Sequence, residues 1–263
     1  MRKPLIVIKL GGAAVTDKKK IYTPRIAVIK SAANQIARLQ KNFSLIIVHG
    51  AGSFGHIPAK KFELTNGFTS PRQIAGLSLT KSKLLEWELI LTQVFHQHRV
   101  PTISILASDL IVTRRGRIKK CDLEQFRRWL KLGCIPMTGG DIVPDELNGF
   151  AIMSGDQIAV HLAVKLKASK LIFGTDVDGI FSSNPKEKPT AKLFSRVSLN
   201  LAERAVRASE DVTDVTGGMG GKLNETVNAV RHGVPVFFVN VMELGRLLEV
   251  ANNRKTVCTE IVP

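Results

Sequence analysis

The chain has 263 residues, 44% of them hydrophobic, and its 38 lysines and arginines outnumber its 22 aspartates and glutamates, which gives a formal net charge of +16 at pH 7. This length suffices for a sizeable core, and with neither a leader-like N-terminal stretch nor an apolar run near the roughly 20 residues that cross a bilayer, we expect a soluble, cytoplasmic protein. The three widely separated cysteines, Cys121, Cys134 and Cys258, argue against a disulfide framework or a zinc site.

The first part of the chain predicts repeated units of strand, glycine loop and helix. Residues 5–10 form a short apolar run that ends in two glycines, and Thr23, followed by proline, offers the N-cap of a helix. A second apolar run at 45–48 leads into a glycine-rich loop at 50–55. The next helix is predicted to begin with a capping box at Ser70.

The same alternation continues to the end of the chain. Apolar runs that alternate with helices predict an α/β fold with a mainly parallel sheet covered on both faces, in which ligands bind beyond the carboxyl ends of the strands. The remaining predicted elements are a helix at 122–132, a strand at 134–137, a helix at 158–166, a strand at 170–173, a helix at 223–231 and a strand at 234–239.

The positive charge leaves three interpretations open: a basic surface without a specific partner, attraction of phosphorylated ligands, or binding of nucleic acid. The basic residues are scattered, and their one tight run, at 114–120, lies between an apolar stretch at 110–112 and the helix start at Asp122. This run is therefore predicted to be the exposed tip of a β-hairpin. A single short run makes nucleic-acid binding the least favoured of the three.

Three glycine-rich loops, at 11–12, 50–55 and 217–221, suit the binding of phosphate, because glycine lets backbone N–H groups approach an anion. Each loop alone is a weak signal, but all three are predicted at the same sheet edge. The last loop is not a P-loop, since Thr216 and Leu223 stand where that pattern requires glycine and a hydroxyl. No dinucleotide fingerprint follows the first strand either.

A hydrolase is a further alternative. Residues 51–55 match a nucleophile elbow, and Asp176 and His232 follow in the expected order. A helix must follow such an elbow directly, and we expect Pro58 to interrupt it, so hydrolysis is disfavoured.

The chain contains six short motifs in a fixed order, at 9–12, 49–56, 140–141, 154–156, 175–179 and 214–219, followed by Lys222. This ordered set resembles the amino acid kinase family and covers nearly the whole chain. The resemblance implies an amino-acid-kinase fold, a mainly parallel central sheet sandwiched between helices (αβα), in a single domain over 1–263. The N-terminal lobe, about 1–170, would bind the acceptor, and the C-terminal lobe, about 171–263, would bind the nucleotide.

His56, the second histidine of the second loop, resembles the isopentenyl phosphate kinases within this family, whereas kinases of carboxylate acceptors lack it. The resemblance implies phosphorylation of isopentenyl phosphate by ATP, for isoprenoid biosynthesis. It also implies Mg²⁺ bridged by the ATP phosphates, without protein metal ligands, and a homodimer. Fosfomycin kinases are similar in this loop, so a phosphonate acceptor is one alternative. A basic nucleic-acid-binding module with an inert kinase-like fold is another.

The resemblance also implies roles for single residues. Lys9 and Lys222 would converge on the ATP phosphates, Lys18 would lie near the transferring phosphoryl group, and His56 would donate to the acceptor phosphate. Asp156 would orient the lysines, because an ionised phosphate acceptor needs no base. The predicted acceptor contacts are Ala51, Gly52, Ser53, Gly55, His56 and Gly155. The predicted ATP contacts are Lys9, Gly11, Gly12, Ala13, Gly52, Thr175, Asp176, Gly218 and Lys222.

Several of these residues have a structural alternative. Lys18 could belong to a solvated turn, His56 could cap the next segment, and Asp156 could be a helix N-cap. Lys9 is harder to explain in this way, because a lysine at the end of a buried strand is costly unless an anion lies beside it.

Two departures from the family pattern concern the loops. Ala13 stands where these kinases usually have serine, so a hydroxyl contact to phosphate is lost. Ala51 replaces a common glycine, and we expect it to restrict the backbone and narrow the second loop. The apolar tail of the acceptor is predicted to lie near the helix that contains Ile74, Leu77, Leu84 and Trp87.

Overall fold

The structure of the protein, a computed structural model, describes residues 3–17, 20–210 and 219–263, and of 205–210 and 219–220 it describes the backbone only. The strands are β1 (Leu5–Leu10), β2 (Ser44–His49), β3 (Thr102–Ser104), β4 (Ile111–Arg114), β5 (Arg117–Cys121), β6 (Ile135–Gly139), β7 (Asp141–Asp145), β8 (Gly149–Met153), β9 (Lys170–Thr175), β10 (Ile180–Phe181), β11 (Leu193–Phe194), β12 (Arg196–Ser198), β13 (Val236–Asn240) and β14 (Thr259–Val262). The helices are α1 (Gly12–Val15), α2 (Ile26–Leu39), α3 (Gly52–Lys61), α4 (Gln73–Gln97), α5 (Ala107–Leu110), α6 (Leu123–Lys131), α7 (Gly155–Lys165), α8 (Leu199–Glu210), α9 (Met219–Arg231) and α10 (Arg246–Ala251).

The main sheet has eight strands in the described chain, in the order β12-β14-β13-β9-β1-β2-β6-β3. All neighbouring pairs are parallel except β13 and β14. The central strands β1 and β2 are buried at every position after the first, as expected for parallel strands with both faces covered. The predicted mainly parallel α/β fold is therefore confirmed.

Two hydrophobic clusters lie on opposite faces of this sheet. Val7 of β1 packs with apolar residues of α7 and α9 on one face. Ile6 and Ile8 of the same strand pack with residues of α2, α4 and α10 on the other. Successive side chains of a strand point to opposite faces, so an unbroken apolar run supplies both clusters at once. The result is the expected three-layer αβα sandwich.

A second sheet, not predicted from the sequence, has the strand order β5-β4-β7-β8. Its β4–β5 pair confirms the hairpin that the basic run predicted, with Arg115 and Gly116 in the turn at φ values of 51° and 71°. Two successive positive φ values are typical of the type I′ turn that suits a two-residue hairpin. The strands of this sheet are short and partly exposed, which explains why apolar patterning did not reveal them.

Helices α7 and α9 begin three and four residues earlier than predicted, at Gly155 and Met219, and three other differences between the predicted and the observed helices have a local cause. Helix α2 begins at Ile26, with Arg25 as its N-cap. Thr23 does not cap it, because its hydroxyl donates to the Ile21 carbonyl, and the following proline forms a β-bridge with Thr16. Helix α4 begins at Gln73, although the Gln73 side chain accepts from the N–H of Ser70 at 3.2 Å, as a capping box requires.

The third difference is that helix α3 runs through Pro58, so the expected interruption is wrong. Pro58 cannot donate the backbone hydrogen bond to the carbonyl four residues before it, so one hydrogen bond of the helix is missing. Because α3 ends only three residues after Pro58, the rest of the helix keeps its hydrogen bonds. Across the described part of the chain, none of the helices combines the length and the apolar character needed to cross a membrane.

Candidate active site

The first two glycine loops meet at the carboxyl edge of the main sheet. A Cβ atom on Gly12 would lie 2.7 Å from the backbone nitrogen of Gly52, and one on Gly50 would lie 2.5 Å from that of Gly12. The loops thus touch through their backbones, which requires glycine at both positions. The third loop begins outside the described residues. The predictions for Gly218 and Lys18 fall there as well, so their roles stay predictions.

Thr16 fastens these two loops together, a role that sequence reasoning missed. Its hydroxyl donates to the Gly12 carbonyl at 2.8 Å and accepts from the Ser53 N–H at 3.1 Å. Gly52, with a φ of +52°, packs directly on the Thr16 side chain. The buried Ser53 hydroxyl has no hydrogen-bond partner among the described residues. A buried polar atom of this kind fits a loop that receives a polar ligand.

Lys9, Asp156 and Lys222 form the charged centre of the site. The Lys9 ammonium lies 2.6 Å from Oδ1 of Asp156, and the Lys222 ammonium lies 3.0 Å from Oδ2. Lys9 is the penultimate residue of β1, Asp156 lies in the first turn of α7, and Lys222 lies in the first turn of α9. Ser154 is the N-cap of α7 and accepts from the Asp156 N–H, so the alternative that Asp156 is itself the N-cap is wrong.

Two lysines contact one carboxylate in this centre, Lys9 and Lys222 on Asp156. Burial of Asp156 opposes its ionisation, but the attraction of the two lysines outweighs burial and holds the pKa of the carboxyl below its usual range. The Lys222 side chain is 21% exposed, whereas that of Lys9 is 5% exposed. The Lys222 ammonium is therefore the more accessible of the two cations, and an anionic ligand can approach it from solvent.

The lowered pKa predicts how stability depends on pH. The favourable contribution of ionised Asp156 is fully present above the unfolded-state pKa of about 3.9 and is lost as the pH falls through the lower folded-state pKa. Asp156→Asn should reduce the free energy of unfolding by about 3 kcal/mol near neutral pH, because it leaves a buried lysine without its carboxylate. Urea unfolding of both proteins between pH 3 and pH 8 should show this difference shrinking below about pH 4. A difference that stays constant down to pH 3 would contradict the pairing.

The predicted ATP contacts after β9 have partners of their own. The buried Thr175 hydroxyl donates to the carbonyls of Val177 and Val239, at 2.8 and 3.2 Å. Asp176 forms an ion pair with Lys186. These contacts hold the loop after β9 in place, and the Thr175 hydroxyl is used in hydrogen bonds to the backbone. Contact of this loop with ATP stays a prediction.

Asp178, three residues beyond Thr175, is a partner that sequence reasoning missed. It accepts from the Asn240 amide at 3.0 Å and from the Arg246 guanidinium at 2.6 Å. Gly11 joins the same edge, because its N–H donates to the Gly174 carbonyl at 2.8 Å. The end of β9 is thereby tied both to the first glycine loop and to α10.

The predicted acceptor contacts lie on α3 and at the start of α7. His56 is exposed and lies one helical turn after Gly52. Ala51 has φ −65° and ψ −23°, an ordinary helical conformation that alanine adopts without strain, and the narrowing of the second loop stays a prediction. Its methyl group lies beside Gly55, where an added Cβ would come within 2.5 Å of it. Gly155, at the start of α7, lies against the His49 carbonyl.

The four residues predicted near an acceptor tail do not share one surface. Ile74 is 59% exposed, whereas Trp87 is fully buried. The indole of Trp87 stacks on Phe54 at 5.1 Å and donates to the Gly50 carbonyl at 3.0 Å. Trp87 therefore packs behind the second loop, and the position of the acceptor tail near α4 stays a prediction.

A buried contact between a histidine and a glutamate beside Trp87 was also missed. His49, the last residue of β2, contacts the Glu88 carboxylate, which also accepts from the Ser104 hydroxyl. Burial raises the pKa of Glu88, but the attraction and hydrogen bond of His49 outweigh burial and hold that pKa below its usual range. The pair fixes the end of β2, where the second glycine loop begins.

The hydrolase alternative loses support. The elbow serine is followed by a helix after all, but His232 is exposed at the end of α9, and its Nδ1 lies 2.8 Å from the carbonyl oxygen of Asn228 in the same helix. The arrangement lacks the base that an activated Ser53 needs. Over the described ranges, no group of three His, Cys, Asp or Glu side chains is placed to hold a metal ion.

Comparisons with known proteins agree with this geometry. A sequence model of the amino acid kinase family matches residues 4–240. The isopentenyl phosphate kinase of Methanothermobacter thermautotrophicus is 32% identical over 251 residues, which cover 92% of this chain and 93% of that protein. The isopentenyl phosphate kinase of Thermoplasma acidophilum is 32% identical over 233 residues, covering 88% of this chain and 90% of that protein. A crystal structure of an isopentenyl phosphate kinase, 28% identical, superposes with a TM-score of 0.86 and covers 98% of this chain and 100% of that chain.

Proposed function

Because the chain belongs to the amino acid kinase family, we propose that it transfers the γ-phosphoryl group of ATP to isopentenyl phosphate, which yields isopentenyl diphosphate and ADP. The observation that carries this proposal is the convergence of Lys9 and Lys222 on Asp156, from strand and helix ends far apart in the sequence. The glycine loops next to this centre, and the isopentenyl phosphate kinases among the similar proteins, give it further support.

In the proposed reaction, an oxygen of the acceptor phosphate attacks the γ-phosphorus of ATP. The bond from that phosphorus to the β–γ bridging oxygen breaks, and ADP leaves with its electron pair. Lys9 and Lys222 neutralise the charge on the transferring group, and backbone N–H groups of the glycine loops align the two phosphates. His56 donates a hydrogen bond to the acceptor phosphate, and Lys18 lies near the transferring group.

Asp156 acts as a positioning residue in this scheme. A phosphate monoester has a second pKa near 6, so the acceptor is already ionised at neutral pH and no base is needed to activate it. Both carboxylate oxygens of Asp156 are occupied by lysines, at 2.6 and 3.0 Å. When bound, Mg²⁺ supplies charge neutralisation between the ATP phosphates, and we propose that those phosphates hold it.

A fosfomycin-like phosphonate is the first alternative acceptor, because it offers the same charged group to His56. A coupled ADP-release assay with isopentenyl phosphate, fosfomycin and glutamate as separate acceptors distinguishes the candidates. We expect rapid ADP release with isopentenyl phosphate and background release with glutamate. Turnover of fosfomycin without turnover of isopentenyl phosphate would reverse the assignment.

Nucleic-acid binding is the second alternative, and the structure of the basic run disfavours it. Arg117 pairs with Glu225 at 2.5 Å, and Lys119 pairs with Glu146 at 2.7 Å, so part of the run is already neutralised. Binding through phosphate contacts falls steeply with salt. Tight binding of duplex or single-stranded DNA at 0.15 M salt would revive this alternative.

We further propose a homodimer that forms through the outer face of α4. Ile74, Leu85 and Leu89 of this helix are 59%, 47% and 56% exposed, and a patch of exposed apolar side chains can mark a protein–protein interface. Leu85→Glu with Leu89→Glu should convert the dimer to a monomer in analytical ultracentrifugation, because two charges would enter the interface of each protomer. A monomeric wild-type protein at micromolar concentration would contradict this proposal.

The single domain and its two lobes are likewise a proposal. They are supported by the sheet order, in which β1, β2, β3 and β6 lie on one side of the β9–β1 boundary and β9, β12, β13 and β14 lie on the other. The first group precedes residue 170, and the second follows it. The need for ATP and the three free cysteines fit the proposed cytoplasmic location.

A further inference from the structure

The basic β4–β5 hairpin contains an arginine that reaches across to the nucleotide-side helix α9. Both terminal guanidinium nitrogens of Arg117 contact the Glu225 carboxylate, Nη1 at 2.5 Å from Oε1 and Nη2 at 3.3 Å from Oε2. Glu225 is only 12% exposed, so it is a largely buried carboxylate with a two-pronged partner. Such a fork fixes geometry as well as charge. The contact therefore joins the four-stranded sheet to α9.

The turn of this hairpin is held rigidly from the opposite side. Asp145, at the end of β7, accepts from the Gly116 N–H at 2.8 Å and from the Thr113 hydroxyl at 2.9 Å. Its other oxygen accepts from the N–H groups of Leu147 and Asn148, at 3.0 and 2.9 Å. Burial raises the pKa of Asp145, but these hydrogen bonds outweigh burial and hold it well below its usual range. The turn that carries Arg117 is thus anchored to its own sheet.

The hairpin also contacts α7 beside the charged centre. In the orientation of the Gln157 amide that satisfies both neighbours, its nitrogen donates to the Gly116 carbonyl at 3.3 Å and its oxygen accepts from Arg117 at 2.5 Å. Gln157 directly follows Asp156. On α9, Glu225 lies one turn after Lys222, and Lys222 contacts Asp156 at 3.0 Å. These contacts close a ring that runs from Arg117 through α9 and α7 and back.

We propose that Arg117 is a positioning residue that holds the start of α9, and with it Lys222, in register with Asp156 on α7. The inference rests on the proposed function, because it assigns Lys222 to the phosphoryl-transfer site. It also gives the basic run a role within the enzyme. In this role as a strut, the hairpin links the four-stranded sheet to α9 through a rigid contact, and α9 carries Lys222.

Charge reversal tests the strut. Arg117→Glu and Glu225→Arg should each lower kcat roughly five- to tenfold, with little change in the KM for isopentenyl phosphate, because an exposed arginine contributes modestly and acts only through Lys222. The double variant Arg117→Glu with Glu225→Arg should regain most of the loss, since it restores the pair with opposite polarity. Lys120→Glu is the control: it lies at an exposed position on the same strand and changes the net charge by the same amount as Arg117→Glu. It should leave kcat unchanged.

Two results would overturn the inference. One is wild-type kcat in both single variants. The other is a double variant whose kcat is no higher than that of the single variants. Such a result would indicate that each substitution simply damages the folded protein, which the second substitution cannot repair. Melting temperatures of all variants should stay within a few degrees of wild type. If wild-type protein does not phosphorylate isopentenyl phosphate, the proposed function fails separately. The Kd for ATP is then measured for the same variants. Each single variant should bind ATP more weakly than wild type, and the double variant should regain most of the loss. Equal Kd values in all variants would reject the positioning role of Arg117.

Discussion

Lys222→Ala should lower kcat at least a hundredfold while the melting temperature moves by only a few degrees. The Lys222 ammonium lies at the open side of the charged centre and is 21% exposed, so its removal takes away charge without leaving a cavity in the core. A well-placed cation in phosphoryl transfer is worth orders of magnitude in rate, with an arginine finger at about 10³ to 10⁵ as the upper guide. The measurement is steady-state turnover at saturating ATP and acceptor, with the melting temperature measured on the same preparation.

Lys9→Ala should lower kcat as severely but should also destabilise the fold, because the Lys9 side chain is buried and its removal, unlike that of Lys222, leaves a space in the interior beside Asp156. Lys30→Ala, an exposed position on α2, is the matched control and should behave as wild type. Wild-type turnover in either site variant would remove that lysine from the mechanism.

His56→Ala should lower kcat/KM for isopentenyl phosphate at least tenfold and leave the Kd for ATP nearly unchanged. A hydrogen bond to a charged group is worth about 1.5 to 3 kcal/mol, and about 1.4 kcal/mol corresponds to tenfold. His56 lies on α3, whose first turn is the proposed acceptor loop, and α3 is separated from the loop after β9 by the first glycine turn. Acceptor kinetics and calorimetric ATP binding on one preparation make the comparison.

Two further variants sharpen this test. His56→Gln retains a neutral donor and should recover part of the activity, whereas His96→Ala, an exposed position on α4, should have no effect. Intact acceptor kinetics together with weakened ATP binding would mean that the two substrates have been assigned to the wrong loops.

The sequence predicted the elements whose signals are local. The apolar runs at β1, β2 and β9 and the glycines that follow them identified the sheet and its ligand edge, because burial on both faces leaves an unbroken apolar run. Helix α6 was predicted closely, since Asp122 caps it through its own side chain. Helix α2 was placed too early because Thr23 uses its hydroxyl on Ile21 in a turn. This local hydrogen bond of Thr23 competes with helix capping, and it therefore sets where α2 begins.

The site itself depended on resemblance and tertiary contact. Lys9, Asp156 and Lys222 lie far apart in sequence, and no spacing rule brings them together. The contact between His49 and Glu88 could not be predicted, because Glu88 lies within a helix whose pattern gives no sign that a histidine from β2 covers it. Thr16 was missed for the same reason, since its role exists only once two loops touch.

The most direct test of the proposed phosphoryl transfer is ³¹P nuclear magnetic resonance of wild-type protein with ATP, Mg²⁺ and isopentenyl phosphate. The proposal predicts that the acceptor monophosphate signal is replaced by the paired signals of an organic diphosphate, in step with the formation of ADP. The same mixture with Lys222→Ala should show the original signals over the same period. Formation of ADP with inorganic phosphate and an unchanged acceptor signal would contradict the proposed function.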